Sequence, residues 1–95
     1  MDKIKVKVVF YASLRELIGT RELVLELDNP GFDFLIDKLR QVLGCKAEYI
    51  LADDRTPRRT LLFSVNGKLM TLAKLERLKL KDGDVIDIMP PPSGG

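Results

Sequence analysis

The residues with the most evident chemical use lie at the C-terminus, Pro90-Pro91-Pro92-Ser93-Gly94-Gly95, ending in the α-carboxylate. Proline fixes φ and has no N–H, so three in a row favour an extended rod. At about 3.1 Å per residue that rod holds the terminus roughly 10 Å clear of the body. Two glycines without a Cβ make the tip thin and permissive. A stiff spacer with a slim end is a shape that delivers a chain terminus into a narrow channel. A frayed terminus is the plain alternative. Against it stands the apolar run Asp84-Val85-Ile86-Asp87-Ile88-Met89, which leads straight into the prolines and anchors them to a core.

Other chemistries are poorly supplied. The chain has no histidine, which removes the commonest general base and the commonest metal ligand. A single cysteine, Cys45, leaves no intramolecular disulfide and no zinc site of its own, and it fits a reducing compartment. Beside it, a structural filler at a helix end is a simpler reading than a thiol relay. The net charge of +2, from 16 basic and 14 acidic residues, is too balanced to argue for nucleic acid. No apolar run approaches the roughly 20 residues of a membrane-spanning helix. The N-terminus alternates like a strand and lacks a signal-peptide core. The expectation is a cytoplasmic protein with neither membrane nor nucleic acid as partner.

The elements that must position the tail follow in chain order. Ninety-five residues suit one small domain. Lys3 to Tyr11 reads as a strand, with Ile4, Val6, Val8 and Phe10 on one face and Lys3, Lys5, Lys7, Val9 and Tyr11 on the other. Ala12 to Ile18 predicts a short helical turn closed by Gly19, and Glu22 to Leu27 a second strand, antiparallel to the first. Asp28-Asn29-Pro30-Gly31 opens a helix with a capping residue and a proline in its first turn. Its apolar stripe is Phe32, Leu35, Ile36, Leu39, Val42 and Leu43, and Gly44 stops it. Cys45 to Thr60 is irregular. Tyr49-Ile50-Leu51 packs locally, and the charged stretch from Asp53 reads as an exposed loop whose three arginines are more simply solvated than bound to an acidic partner. Leu61 to Val65 is a strand, Asn66-Gly67 a hairpin turn, Lys68 to Met70 its return, and Asp82-Gly83 a turn into the last strand. Between them, Lys74 to Arg77 has room for a single helical turn. The order is β-β-α-β-β-β. A central last strand, parallel to the first, makes this an α+β fold, a β-grasp: a mixed sheet with one main helix packed on one face. The domain is expected over residues 1–89, with a flexible diglycine tail over 90–95.

Several stretches resemble the small subunit of molybdopterin synthase, a family of ubiquitin-like sulfur carriers. Phe10-Tyr11-Ala12-Ser13-Leu14-Arg15-Glu16 followed by Gly19 is similar to that family's start. Leu61-Leu62 with Val65-Asn66-Gly67 resembles its central hairpin. Leu80-Lys81-Asp82-Gly83-Asp84-Val85, through Met89-Pro90-Pro91 to Gly94-Gly95, resembles its end. The chain differs in a third proline and Ser93, in Met89 where the family carries an aromatic residue, and in a longer 45–60 segment. The resemblance implies that the α-carboxylate of Gly95 is the reacting group. An E1-like adenylating enzyme using ATP and Mg activates it, and it becomes a thiocarboxylate. The tail (Pro90, Pro91, Pro92, Ser93 and Gly94) enters the large subunit of the synthase, in a heterotetramer, and sulfur passes to a pterin precursor of the molybdenum or tungsten cofactor. Adenylation supplies the leaving group a carboxylate lacks, and tethering raises the local concentration of the sulfur. No side chain here then has to be catalytic, and no metal or cofactor is expected on this chain. Because the sequence ends at Gly95, no proteolysis is expected to expose the diglycine.

Parity adds a surface. If Ile4, Val6, Val8, Phe10, Leu61, Phe63, Val65, Ile86 and Ile88 face the helix, then Val9, Tyr11, Leu62 and Met89 share the opposite face. Apolar residues there need something to cover them, so they form the expected docking patch for the activating enzyme and the large subunit. Alternative functions remain. The same terminus serves a sulfur carrier for thiazole or tRNA thiolation, or a ubiquitin-like modifier conjugated to lysines. An interaction domain with an inert tail is a third class.

Overall fold

The computed structural model describes residues 3–53 and 56–91. Strand β1 (Ile4–Phe10) is followed by helix α1 (Ala12–Ile18), strand β2 (Glu22–Leu27), helix α2 (Phe32–Leu43) and a 3-10 helix (Gly44–Tyr49). Strands β3 (Leu62–Val65) and β4 (Lys68–Met70), helix α3 (Leu72–Arg77) and strand β5 (Val85–Met89) complete the chain. The sheet order is β2-β1-β5-β3-β4. β1 and β5 run parallel, and the other neighbours are antiparallel. This is the ubiquitin-like β-grasp expected from the alternation of the strands.

One face of the sheet makes the core. Val6, Val8, Phe10, Leu25, Leu27, Phe63, Val65, Ile86 and Ile88 are buried against Phe32, Leu35, Ile36 and Leu39 of α2. β5 is central because alternate residues, Ile86 and Ile88, are as deeply buried as those of β1. Its position is fixed by the two turn motifs. Asp82 Oδ1 accepts from the Lys5 N–H at 2.8 Å, and Gly83 N–H donates to the Lys5 carbonyl at 2.7 Å. On the other side, Asn66 exchanges backbone bonds with Val85 through its N–H (2.8 Å) and its Oδ1 (2.9 Å). Its Nδ2 donates to Asp84 at 2.9 Å. Asn66 and Gly67 have φ of 52° and 85°, the left-handed pair that a tight hairpin requires.

Four expectations are corrected. Pro30 lies before α2 rather than in its first turn. Gly31 is the N-cap, Asn29 Oδ1 accepts from the Gly31 N–H at 2.9 Å, and the Pro30 carbonyl accepts from the Leu80 N–H at 2.8 Å, tying this entry to the far end of the chain. Val42 is 50% exposed. At 100° per residue it lies roughly 80° off the line of Phe32, whereas Leu43 returns to the stripe. The described residues of the 45–60 segment pack more closely than their composition indicates. Ile50 and Leu51 join the main core, and Leu51 bridges a buried Pro57. The single turn expected at 74–77 is a six-residue helix, α3, capped by the Thr71 hydroxyl, which accepts from the Lys74 N–H at 3.2 Å.

Candidate functional site

The outer face of the sheet is built by the residues that alternate with the core. Val9 lies opposite Asp87, Ser64 opposite Asp87 from the other side, and Leu62 opposite Met89. Tyr11, just past β1, donates its N–H to the Ile88 carbonyl at 3.2 Å. The four residues expected to share this face, Val9, Tyr11, Leu62 and Met89, are therefore neighbours at one end of the three central strands. Tyr11 is 37% and Leu62 41% exposed, while Val9 and Met89 are half-buried. No helix covers them, since α2 lies on the opposite face.

The tail departs beside this cluster. Met89 ends β5, Pro90 is half-buried and Pro91 exposed. The strand end is flanked by Tyr11 on the β1 side and Leu62 on the β3 side. Pro92, Ser93, Gly94 and Gly95 lie outside the described residues. The reacting group expected at Gly95, the glycine tip and the last proline of the expected spacer therefore fall there as well.

A polar group that the sequence pattern passes over sits among the apolar ones. Asp87 Oδ1 accepts from the Tyr11 hydroxyl at 3.0 Å, and Asp87 Oδ2 accepts from the Ser64 hydroxyl at 2.9 Å. Ser64 is only 5% exposed although it is on the outer face. Bonding to the carboxylate, with smaller contributions from burial and the negative charge, raises the Tyr11 phenol above its ordinary pKa. The alternation Val85, Asp87, Met89 on one strand face was the available signal for Asp87, because a charge between two apolar neighbours on one face needs a partner. Leu69 and Val24, 63% and 62% exposed, extend the apolar character of the face toward both sheet edges and were also not singled out.

The backbone around Tyr11 is tightly held. Ala12 turns the chain with φ of 53°, uncommon for a residue with a Cβ. Arg15 Nε donates to the Phe10 carbonyl at 3.3 Å, bracing the turn as its position indicates. Lys46 Nζ donates to the Ile18 carbonyl at 3.0 Å, closing α1 from the 3-10 helix.

Other candidates take structural places. Lys3 and Lys7 pair across strands with Glu26 (3.5 Å) and Glu22 (3.8 Å). Arg58 Nε donates to the Glu48 carbonyl at 2.6 Å, so one of the three loop arginines braces the fold, while Arg55 lies outside the described residues. Cys45 is exposed on the 3-10 helix rather than filling a gap at its end. Among the described residues, no group of three or more His, Cys, Asp or Glu could hold a metal ion. Among the described residues, no helix is long and apolar enough to cross a membrane.

The ThiS family model matches residues 8–95. The molybdopterin synthase sulfur carrier subunit of Escherichia coli (strain K12) is 30% identical over 95 residues, spanning 95% of this chain and 99% of that one. The solution structure of small archaeal modifier protein 1 from Methanosarcina acetivorans superposes with a TM-score of 0.73 and 31% identity, covering 100% of both chains. The crystal structure of the corresponding protein from Haloferax volcanii reaches a TM-score of 0.78 at 22% identity, covering 96% of this chain and 99% of that one. That last likeness speaks for the fold alone.

Proposed function

The chain belongs to the ThiS family, and on that premise we propose that it is a sulfur carrier for molybdopterin synthesis. In this reading the Gly95 carboxylate attacks the α-phosphorus of ATP on an E1-like enzyme, with Mg there to neutralise the phosphates. Pyrophosphate leaves and an acyl adenylate remains. A sulfide-level donor then displaces AMP, leaving a thiocarboxylate. The charged tail enters the large subunit of the synthase, sulfur goes to the pterin precursor, and water restores the carboxylate. This chain's own part is mechanical. The β-grasp holds the end of β5, Pro90 to Pro92 serve in this reading as the spacer, and Gly94 and Gly95, without a Cβ, suit a channel where side chains do not fit. The cytoplasm, where ATP and the pterin enzymes work, is the place for it.

The observation that carries the reading is the coincidence of tail and face. β5 ends at Met89 and the chain leaves the sheet through Pro90 between Tyr11 and Leu62, at the uncovered apolar cluster. A partner seated on Val9, Tyr11, Leu62 and Met89 receives the tail without further search, the arrangement that makes effective concentration high. The 30% identity to the Escherichia coli sulfur carrier subunit over nearly the whole of both chains favours the pterin pathway. The 31% identity to small archaeal modifier protein 1 of Methanosarcina acetivorans supports a second reading, conjugation of the same carboxylate to protein lysines.

Intact mass spectrometry of the protein after incubation with its own cell lysate, ATP and a sulfur source tests both. The expected result is a mass gain equal to replacing one oxygen by sulfur, abolished by deleting Gly95. Lysine-linked conjugates without that gain would give the modifier reading first place. Neither signal would sink both.

A further inference from the structure

Among the described residues, Asp87 is the acidic side chain set inside the apolar cluster. It is half-buried, with Val9 opposite it on β1, Ser64 opposite it on β3, and Met89 two residues along the same strand face. The Tyr11 and Ser64 hydroxyls each occupy one of its oxygens, at 3.0 and 2.9 Å, so the carboxylate is held in one orientation. A carboxylate oxygen accepts about two hydrogen bonds, so each oxygen keeps one acceptor position. Neither neighbouring cation pairs with it. Lys7 reaches Glu22, and Arg15 Nε serves the Phe10 carbonyl.

A partner that covered this face with apolar surface alone would strip water from a carboxylate held by only two hydroxyls and leave it without a counter-charge, which is unfavourable. The geometry therefore points to a specific kind of occupant. We propose that Asp87, oriented by the hydroxyls of Tyr11 and Ser64, is the receptor for an arginine side chain of the partner protein, with Val9, Leu62 and Met89 as the surrounding dry contact. A planar guanidinium offers two parallel N–H donors to the two free acceptor positions, which an ammonium does not. The site then selects partners: one with the arginine docks, and one with an apolar or acidic residue there is rejected. This inference rests on the docking face of the sulfur-carrier reading.

The test is calorimetric titration of the full chain against the adenylating enzyme encoded in the same genome, at low and high sodium chloride. Asp87→Asn keeps the shape and a hydrogen-bonding group but removes the charge. It is expected to weaken binding by about 10- to 100-fold at low salt and to flatten the salt dependence of the affinity. Asp87→Ala gives the same reading should the amide disturb the hydroxyls. Leu62→Asp is run in parallel and is expected to abolish binding. If Leu62→Asp abolishes binding while the Asp87 variants bind like the wild type, the arginine receptor is overturned and the docking face stands. Weaker binding with an unchanged salt slope also overturns it, because Asp87 then acts through structure rather than charge. If every variant binds like the wild type, the docking face itself fails.

Discussion

The two faces of the sheet use the same strands for opposite purposes. Along β1, Val6, Val8 and Phe10 are fully enclosed beneath α2, whereas Lys7, Val9 and Tyr11, interleaved with them, meet solvent. Along β5, Ile86 and Ile88 are enclosed, whereas Val85, Asp87 and Met89 are half-covered. The buried part of the inner face is apolar and holds the domain together by burial. The outer face mixes apolar side chains with a carboxylate and two hydroxyls, and it does not need to be apolar for the fold to stand. Hydrophobic residues on the inner face are thus explained by stability. Those on the outer face, beside the departing tail, add nothing comparable to the core and are the ones the proposed docking would cover.

Truncation at the inner face should have the largest effect. Phe10→Ala removes a fully buried ring and should lower the unfolding free energy by about 3–5 kcal/mol, read from urea denaturation. Leu25→Ala, in the edge strand but facing inward, should lose about 2–5 kcal/mol. A loss under about 1 kcal/mol at either site would break the contrast between the faces.

The polar network should register more weakly. Tyr11→Phe removes the bond to Asp87 and should lower stability by less than about 1 kcal/mol, since Tyr11 is exposed and water replaces the donor. The same bond has a pH signature. The folded Tyr11 phenol titrates above its unfolded value, so its contribution is fully present below the ordinary tyrosine pKa and is lost as pH rises through the raised one. Ultraviolet titration of phenolate should show a late component in the wild type that Tyr11→Phe lacks. Its presence in the variant would assign the shift elsewhere.

The smallest effect sharpens the contrast most. Val24→Lys, next to Leu25 on the same strand but facing outward, should change stability by no more than about 0.5 kcal/mol in the same denaturation assay. A loss comparable to that of Leu25→Ala would mean that the outer face also holds the fold.

Much of this was legible from local patterns. Alternation in Lys3 to Tyr11 and Glu22 to Leu27 has a period that only a half-buried strand satisfies. Asn66-Gly67 and Asp82-Gly83 carry their turn conformations in their residue types. The parity of Val9, Tyr11, Leu62 and Met89 followed from the same alternation once the strands were placed side by side. The 45–60 segment was harder, because Ala47, Ile50 and Leu51 repeat over a single helical turn and Pro57 is buried alone, too short a run for a periodic rule to detect. The start of α2 was misplaced because Asn29 closes a local turn onto Gly31 and the Pro30 carbonyl is held by the distant Leu80 N–H, a contact that no local spacing shows.

The strands and the main helix were determined by sequence alone, since each depends on residues a few positions apart. Only the tertiary structure decided that Asp87 meets Tyr11 and Ser64, residues 76 and 23 positions away. Such a contact exists only when β5 lies between β1 and β3. That placement comes from burying Ile86 and Ile88 with residues from every other part of the core, a cooperative outcome that no local spacing encodes.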